Sequence, residues 1–422
     1  MPLMPDSRPS HGCAREDVRS AAEAVARRSY GKLIAFLAAR TGDITASEDA
    51  LSEAFAAALS DWPQHGCPEN PEAWLLTVAR RKFIDMTRRL HMSDAVDLDL
   101  TQIAGVFCAD ADYSEIPDRR LALMFACAHP AIDASVRAPL ILQVLLGLDA
   151  AAIASAFLMS PAAMGKRLVR AKNKIREAGI PFRIPAHEEL AVRLDTVLEA
   201  IYAAFAEGWI DATGAEVARR DLAEEALYLC RLVIALLPNE PEALGLLALL
   251  LYAESRRRAR RTTDGEYIPL AAQDPTLWDS SMIEEAETLL KRASQFGIMG
   301  RYQLEAAIQS AHVERCRTGH ANWEAILELY DALFAMTGSP VVAINRALVI
   351  AELHGPEIAL KTIEELAADT RLAEYQPWWA ARADLLARTG AMTEAKHGYE
   401  IAIGLERDPS VRRFLEARQA SL

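Results

Sequence analysis

The sequence predicts an all-α protein, and two observations carry that prediction. Segments rich in Ala, Leu, Glu and Arg place apolar residues at three- and four-residue intervals along the whole 422-residue chain. No alternating Val/Ile/Thr run of strand length interrupts them. At 51% hydrophobic and 25% charged residues, the chain is long enough for two or three domains, each with its own core. The longest apolar runs, such as Ala243 to Ala253, are well short of the roughly 20 residues needed to cross a bilayer. No basic segment followed by an apolar one opens the chain, so the expectation is a cytoplasmic protein with no membrane partner. Cys13, Cys67, Cys108, Cys127, Cys230 and Cys316 stand far apart with no CxxC pair. That pattern points to reduced thiols rather than a disulfide framework or a zinc site.

Charge divides the chain. Residues 1–185 carry 22 Lys plus Arg against 22 Asp plus Glu, so the formal charge of −13 belongs to residues 186–422. From His91 to Pro117 there are six acidic residues and no Lys or Arg, and helical periodicity lapses there. The segmentation is therefore a helical domain at 15–90, an acidic linker at 91–115, a small helical domain at 116–180 and an acidic helical domain at 186–422. "GIPFRIP" (Gly179 to Pro185) marks the last boundary, since Gly ends a helix and two prolines prevent its continuation.

In the first domain, "TGDITASEDALSEAFAAAL" (Thr41 to Leu59) is a helix whose Asp43, Glu48, Asp49 and Glu53 flank an Ala/Leu/Phe stripe. An acidic helix is a poor DNA surface and suits a protein partner that offers Arg or Lys. "NPEAWLLTVARRKFIDMTRRL" (Asn70 to Leu90) follows. Leu75, Ala79, Phe83 and Met86 form its core stripe, while Trp74, Arg81, Asp85 and Arg88 share the opposite face. An aromatic among cations suits single-stranded DNA, at about 1–3 kcal/mol per stacked base. Equally, Trp74 fits a half-buried packing residue, with Arg81–Asp85 and Asp85–Arg89 as ordinary four-apart pairs.

The small domain ends in "LDAAAIASAFLMSPAAMGKRLVRAKNKIREAG". Asp149 can cap a first helix reaching about Leu158, and Ser160 a second with Pro161 at its first position. Met164, Leu168, Ala171 and Ile175 give the second helix an apolar stripe that can pack on Ile153 and Phe157. Six Lys or Arg lie between Ser160 and Arg176 with no acidic residue. Lys166, Arg167, Arg170 and Lys174 project opposite the stripe, and Ala162 and Ala163 at the helix start permit close approach to a groove floor. Such a helix can enter the DNA major groove, touching base edges near its N-terminus and phosphates further along. A merely solvated basic face is the plainer reading.

In the acidic domain, "PWWAARADLLARTGAMTEAKHGYEIAIGLERDP" (Pro377 to Pro409) has the small and large apolar positions of a tetratricopeptide repeat: Ala383, Leu386, Gly390, Ala395, Tyr399, Ala402 and a closing Pro409. Helix pairs at about 222–258 and 323–370 are less regular. "SRRRARR" (Ser255 to Arg261) follows a buried-looking helix in an acidic domain, which favours pairing with local carboxylates. "CAHP" (Cys127 to Pro130) lacks a second ligand pair, and "HEELA" lacks the second His of a zinc protease, so no metal is expected. A Walker reading of "AAMGKR" fails because Ser160 stands where the first glycine is required. No nucleophile, paired-acid or phosphate-loop arrangement is present, which predicts neither catalysis nor a cofactor.

Taken in order, "GDITASEDALSEAFAAALSDWP", "NPEAWLLTVARRKFIDMTRR" and "LDAAAIASAFLMSPAAMGKRLVRAKNKIR" resemble domain two, the promoter-melting helix and domain four of extracytoplasmic-function (ECF) sigma factors of the sigma-70 family. "RRLALMFACAHPAI", "PEALGLLALLLYAESRRRAR", "RYQLEAAIQSAH" and "SPVVAINRALVIAELHGP" are similar to segments of the subgroup with a C-terminal tetratricopeptide-like (TPR-like) extension. One departure is Pro275 after "QD", where that subgroup usually has Arg. The resemblance implies an RNA polymerase sigma factor directing promoter-specific initiation. Asp43, Glu48, Asp49 and Glu53 would dock on the β′ clamp helices of the polymerase core, with its β flap as a further contact. Asn70, Trp74, Arg80, Arg81, Asp85 and Arg88, with the "HGCPENP" loop, would face the −10 element. Ser160, Ala162, Ala163, Lys166, Arg167, Arg170 and Lys174 would face the −35 duplex, and the acidic linker would occupy channels that otherwise hold nucleic acid. The extension would regulate the sigma domains through a protein or ligand partner. The alternatives are a stand-alone helix-turn-helix regulator with a protein-binding repeat domain, and a scaffold.

Overall fold

The computed structural model describes residues 11–93, 116, 118–157, 159–209 and 216–422. The expected acidic linker falls almost wholly outside them. The fold is all-α, as the periodicity predicts: the described residues form eighteen α-helices and no sheet. A single isolated bridge joins Arg261 and Tyr267. Among the described residues no helix is long and apolar enough to cross a membrane. The chain forms two compact units, Met1–Glu207 and Gly208–Leu422.

The first unit opens with α1 (His11–Thr41), α2 (Ile44–His65) and α3 (Pro71–Ser93). Asp43 caps α2 by accepting from the Ala46 N–H, and α2 ends at Gly66, whose φ of +87° a side chain would oppose. Leu33, Ile34 and Leu37 of α1, Leu51, Ala54 and Trp62 of α2, and Leu75 and Ala79 of α3 are buried. Each fully buried Leu or Ile contributes about 1.5–3 kcal/mol. Glu72 at the start of α3 accepts from Ser29 (2.6 Å) and Lys32 (3.0 Å), which fixes α3 against α1.

Next come α4 (Arg120–Cys127), α5 (Ala134–Leu146), α6 (Ala150–Ala156), α7 (Pro161–Glu177) and α8 (His187–Trp209). Helix α5 is apolar nearly all round and almost wholly buried, because it packs on α1, α4 and α7 at once. The approach to α1 is in backbone contact: a Cβ on Gly31 would stand 2.5 Å from the Leu145 carbonyl oxygen. Burial pushes the Cys127 thiol pKa up, so this cysteine is an inert core residue. Arg193 of α8 donates to the Phe125 carbonyl at the end of α4 (3.2 Å) and to Glu189 (2.8 Å), so α8 begins inside the first unit.

The second unit holds α9 (Glu216–Leu236), α10 (Pro241–Ser255), α11 (Ser280–Ser294), α12 (Arg301–Thr318), α13 (Trp323–Thr337), α14 (Pro340–His354), α15 (Pro356–Glu364), α16 (Gln376–Arg388), α17 (Met392–Leu405) and α18 (Pro409–Ala420). Consecutive helices pack as pairs, and α10 is buried on nearly every face between α9, α11 and α12. Glu242 of α10 accepts from the Tyr302 and Gln303 N–H groups (3.0 and 3.2 Å), supplying the cap that Gly300 lacks. Ala383, Leu386, Ala395, Tyr399 and Ala402 are buried in and around the α16–α17 hairpin, which turns at Gly390 with φ +86°. Pro409 opens α18.

Candidate nucleic-acid interface

The second helix of the α6–α7 pair begins as its capping residues dictate. Asp149 accepts from the Ala151 and Ala152 N–H groups (2.9 and 2.7 Å), and Ser160 accepts from Ala163 N–H (3.4 Å). Helix α6 stops at Ala156, two residues short of the sequence expectation. Met164, Leu168, Ala171 and Ile175 are all buried, as is Ile153, while Phe157 is half-buried. That burial turns the basic residues outward. Ser160, Ala162, Lys166, Arg167, Arg170 and Lys174 are exposed, and Ala163 is half-buried.

Arg167, Arg170 and Lys174 line one side of a cleft of about 440 Å³ whose other side is Ala131, Ile132, Asp133 and Val136. Arg167 donates to the Ser135 hydroxyl (3.1 Å) across it. Asp133 caps α5 through the Ser135 N–H. Its carboxyl lies below the usual carboxylate range, first because of the Ser135 hydroxyl and then because of that N–H. With three cations against one carboxylate, the cleft can take a phosphate of a DNA backbone.

The residues expected at single-stranded DNA are not all equally placed. Asn70 caps α3 by accepting from Ala73 N–H (3.0 Å) and is exposed. Arg81, Asp85 and Arg88 are exposed and have no ion-pair partner among the described residues, so the Arg81–Asp85 pair does not form, while the Asp85–Arg89 pair involves a side chain outside those described. Arg80 is half-buried. Trp74 takes the half-buried packing place that its second reading describes: its ring meets the buried Trp62 edge to face, with centroids 5.5 Å apart. Trp62 is the reason, since its ring lies just across the α2–α3 contact, a neighbour that spacing within α3 cannot reveal.

The acidic set on α2 divides. Asp49 is exposed, and Glu53 accepts from Lys82 of α3 (3.1 Å). Glu48 binds the Lys172 ammonium with both oxygens (2.8 and 2.6 Å), the two side chains being 19% and 10% exposed. Asp43 accepts from Arg176 (3.2 Å) with its second oxygen. Burial raises the Glu48 carboxyl pKa and Lys172 opposes the rise. Lys172 and Arg176 were part of the basic run, but nothing local marks them as partners of a helix more than 120 residues away. Thus α7 has two duties: its first turns face outward, and its last turns clasp the acidic helix.

Sigma-70 region 2 matches residues 25–91, which cover most of α1 and all of α2 and nearly all of α3. A family of unknown function (DUF6596) matches residues 193–294. The chain is 38% identical over 374 residues to an uncharacterized protein, R00370, of Rhizobium meliloti (strain 1021), covering 87% of this chain and 88% of that protein. No solved structure matches it.

Proposed function

We propose that the chain, which belongs to the same family as R00370 and matches sigma-70 region 2 over residues 25–91, is a sigma-70-type promoter-specificity subunit of the ECF group with a TPR-like regulatory extension. The sigma-70 match implies binding to RNA polymerase core and promoter DNA. The proposal assigns the −10 element to α3 and its preceding loop, and the −35 duplex to α7. The observation that carries it is the outward basic edge of α7, where Lys166, Arg170 and Lys174 stand exposed beside the Arg167 cleft. An acidic chain can bind DNA this way because charges beyond a Debye length of about 8 Å are largely screened, whereas each phosphate neutralised locally releases counterions.

Polymerase docking falls to Asp43, Glu48, Asp49 and Glu53 in this reading. Asp43 and Glu48 are held by Arg176 and Lys172, so docking through them exchanges those intramolecular pairs for basic side chains of the clamp. The acidic linker threads the polymerase, and the second unit restrains or presents the sigma domains. The test is in-vitro transcription with core polymerase. The wild-type chain directs initiation from a specific promoter, and Arg167→Glu with Arg170→Glu abolishes it while core binding persists. Unaffected transcription by that double variant would overturn the assignment of α7.

A further inference from the structure

The arginine run Ser255–Arg261 finds carboxylates, as its acidic setting predicts, but at two very different ranges. Arg257 bonds Glu254 close by in sequence (2.7 and 2.8 Å). Arg261 instead bonds Asp408 and Ser410 at the start of α18, 147 and 149 residues away. The segment that follows it is a small hairpin: Arg261 and Tyr267 form an antiparallel bridge, Thr262 N–H donates to the Glu266 carbonyl (2.9 Å), and Gly265 turns the chain with φ +82°. Arg413 of α18 donates to both Glu266 oxygens (2.9 and 3.1 Å), and the Tyr267 and Phe414 rings meet edge to face with centroids 5.5 Å apart. The hairpin is a strap holding α18.

The strapped helix lies on the α16–α17 hairpin. Leu415 is buried in a cluster with Ala383, Tyr399 and Ala402, and Val411 and Phe414 pack against that cluster, so α18 inserts side chains at i, i+3 and i+4. Its arginines meet carboxylates: Arg413 pairs with Glu266 of the strap, and Arg418 with Asp384 of α16. Those arginines are 51% and 52% exposed, so both pairs are weak. The enclosed tie is Arg261–Asp408, at 23% and 11% exposure. Among the helices α18 packs chiefly on α17, while α16 and α17 pack extensively on each other without it. A helix held in this way opens locally before the rest of its unit unfolds. Its departure uncovers an apolar groove edged by Glu266 and Asp384.

We infer that the groove formed by α16, α17 and the strap is a docking site for a basic amphipathic helix of a protein partner, and that α18 is its built-in occupant, which the partner displaces. The partner's chemistry is read from α18: apolar side chains at i, i+3 and i+4 and arginines at i+2 and i+7, as Val411, Phe414, Leu415, Arg413 and Arg418 stand in this chain. The acidic surplus of residues 186–422 draws such a helix in. Because only Glu406–Asp408 tether α18 to α17, it competes at an effective concentration on the order of millimolar. The groove lies wholly in the second unit and stands independently of the sigma-factor reading.

A fluorescein-labelled peptide with the sequence of residues 406–422, titrated with the full chain and followed by anisotropy, tests it. Phe414→Ser with Leu415→Ser in the chain detaches its own α18 and leaves α16, α17 and the strap unaltered. That variant should bind the peptide at least tenfold more tightly than the wild-type chain does. A peptide carrying Arg413→Glu and Arg418→Glu should bind the variant at least tenfold more weakly than the unaltered peptide. Hydrogen exchange in the wild-type chain should be faster in α18 than in α16 and α17. Should the double-serine variant lose protection in α16 and α17 themselves, Arg413→Ala with Arg418→Ala, which loosens α18 from its exposed side, carries the comparison. Equal binding by wild type and variant, equal binding of the charge-reversed peptide, or an α18 as protected as α16 and α17 overturns the proposal. Dimerisation of the wild-type chain that the double-serine variant loses would assign the groove to a second copy and overturn the partner.

Discussion

If polymerase competes with α7 for the carboxylates of α2, breaking the intramolecular pair on the α7 side should strengthen core binding. The perturbation is Lys172→Met, which keeps the aliphatic stem and removes the ammonium. In the folded chain Lys172 bonds both oxygens of Glu48, with the two groups 10% and 19% exposed. Removing one partner of a fully buried pair costs about 3–5 kcal/mol, because the other charge is left uncompensated. With this partial exposure, about 1–2 kcal/mol is the fitting scale. That penalty applies to the closed arrangement alone, since in the docked state Glu48 faces clamp cations instead. At 1.4 kcal/mol per factor of ten, Lys172→Met should bind core polymerase about 5–30 times more tightly. Glu48→Gln should bind more weakly than wild type, and adding Lys172→Met to it should restore nothing. Fluorescence anisotropy of the labelled full chain against core polymerase measures all four proteins, with circular dichroism to check that helicity is retained. Unchanged or weaker binding by a folded Lys172→Met chain would refute the competition.

Other expectations concern stability and DNA. Because His312 titrates near 4 in the folded chain and near 6.5 unfolded, the unfolded state binds more protons in between. Its stabilising contribution is complete above pH 6.5 and is lost as pH falls towards 4; His312→Asn should flatten that part of a urea-midpoint-versus-pH curve. Glu48 has the opposite sign: its raised pKa means that stability falls as pH rises from the ordinary carboxylate range through the raised value, so Glu48→Gln should remove that slope. Gly31→Ala should cost about 1–3 kcal/mol of overpacking, outweighing the roughly 1 kcal/mol that Ala gains over Gly in a helix, since the added Cβ meets the Leu145 carbonyl; a lower melting temperature of the variant checks it. If Arg167 and Arg170 each neutralise one phosphate, replacing both with Gln should shallow the logarithmic salt dependence of promoter binding by about 1.8.

The parts of the fold that depend on near neighbours in sequence were legible. Asp149, Ser160 and the Met164–Ile175 stripe set the turn and the outward face of α7 through spacings of three and four alone, and the structure places them accordingly. The exposed stretch of α7 was readable for the same reason. Trp74 was not, because its partner Trp62 belongs to another helix, and an aromatic among cations looks the same from within α3 whether it is solvated or packed. The Lys172–Glu48 and Arg176–Asp43 pairs were hidden for a stronger reason: both sides looked like free surfaces suited to outside partners, and only tertiary placement sets them against each other.

Gly31 has a mechanical consequence for any rearrangement of the first unit. Where α1 meets the end of α5, main chain touches main chain, with the ring of Tyr30 resting beside Gly147. At that point no side chain can serve as a spacer, so the separation of the two helices is set by the main chain itself, and any larger residue at position 31 would have to push them apart.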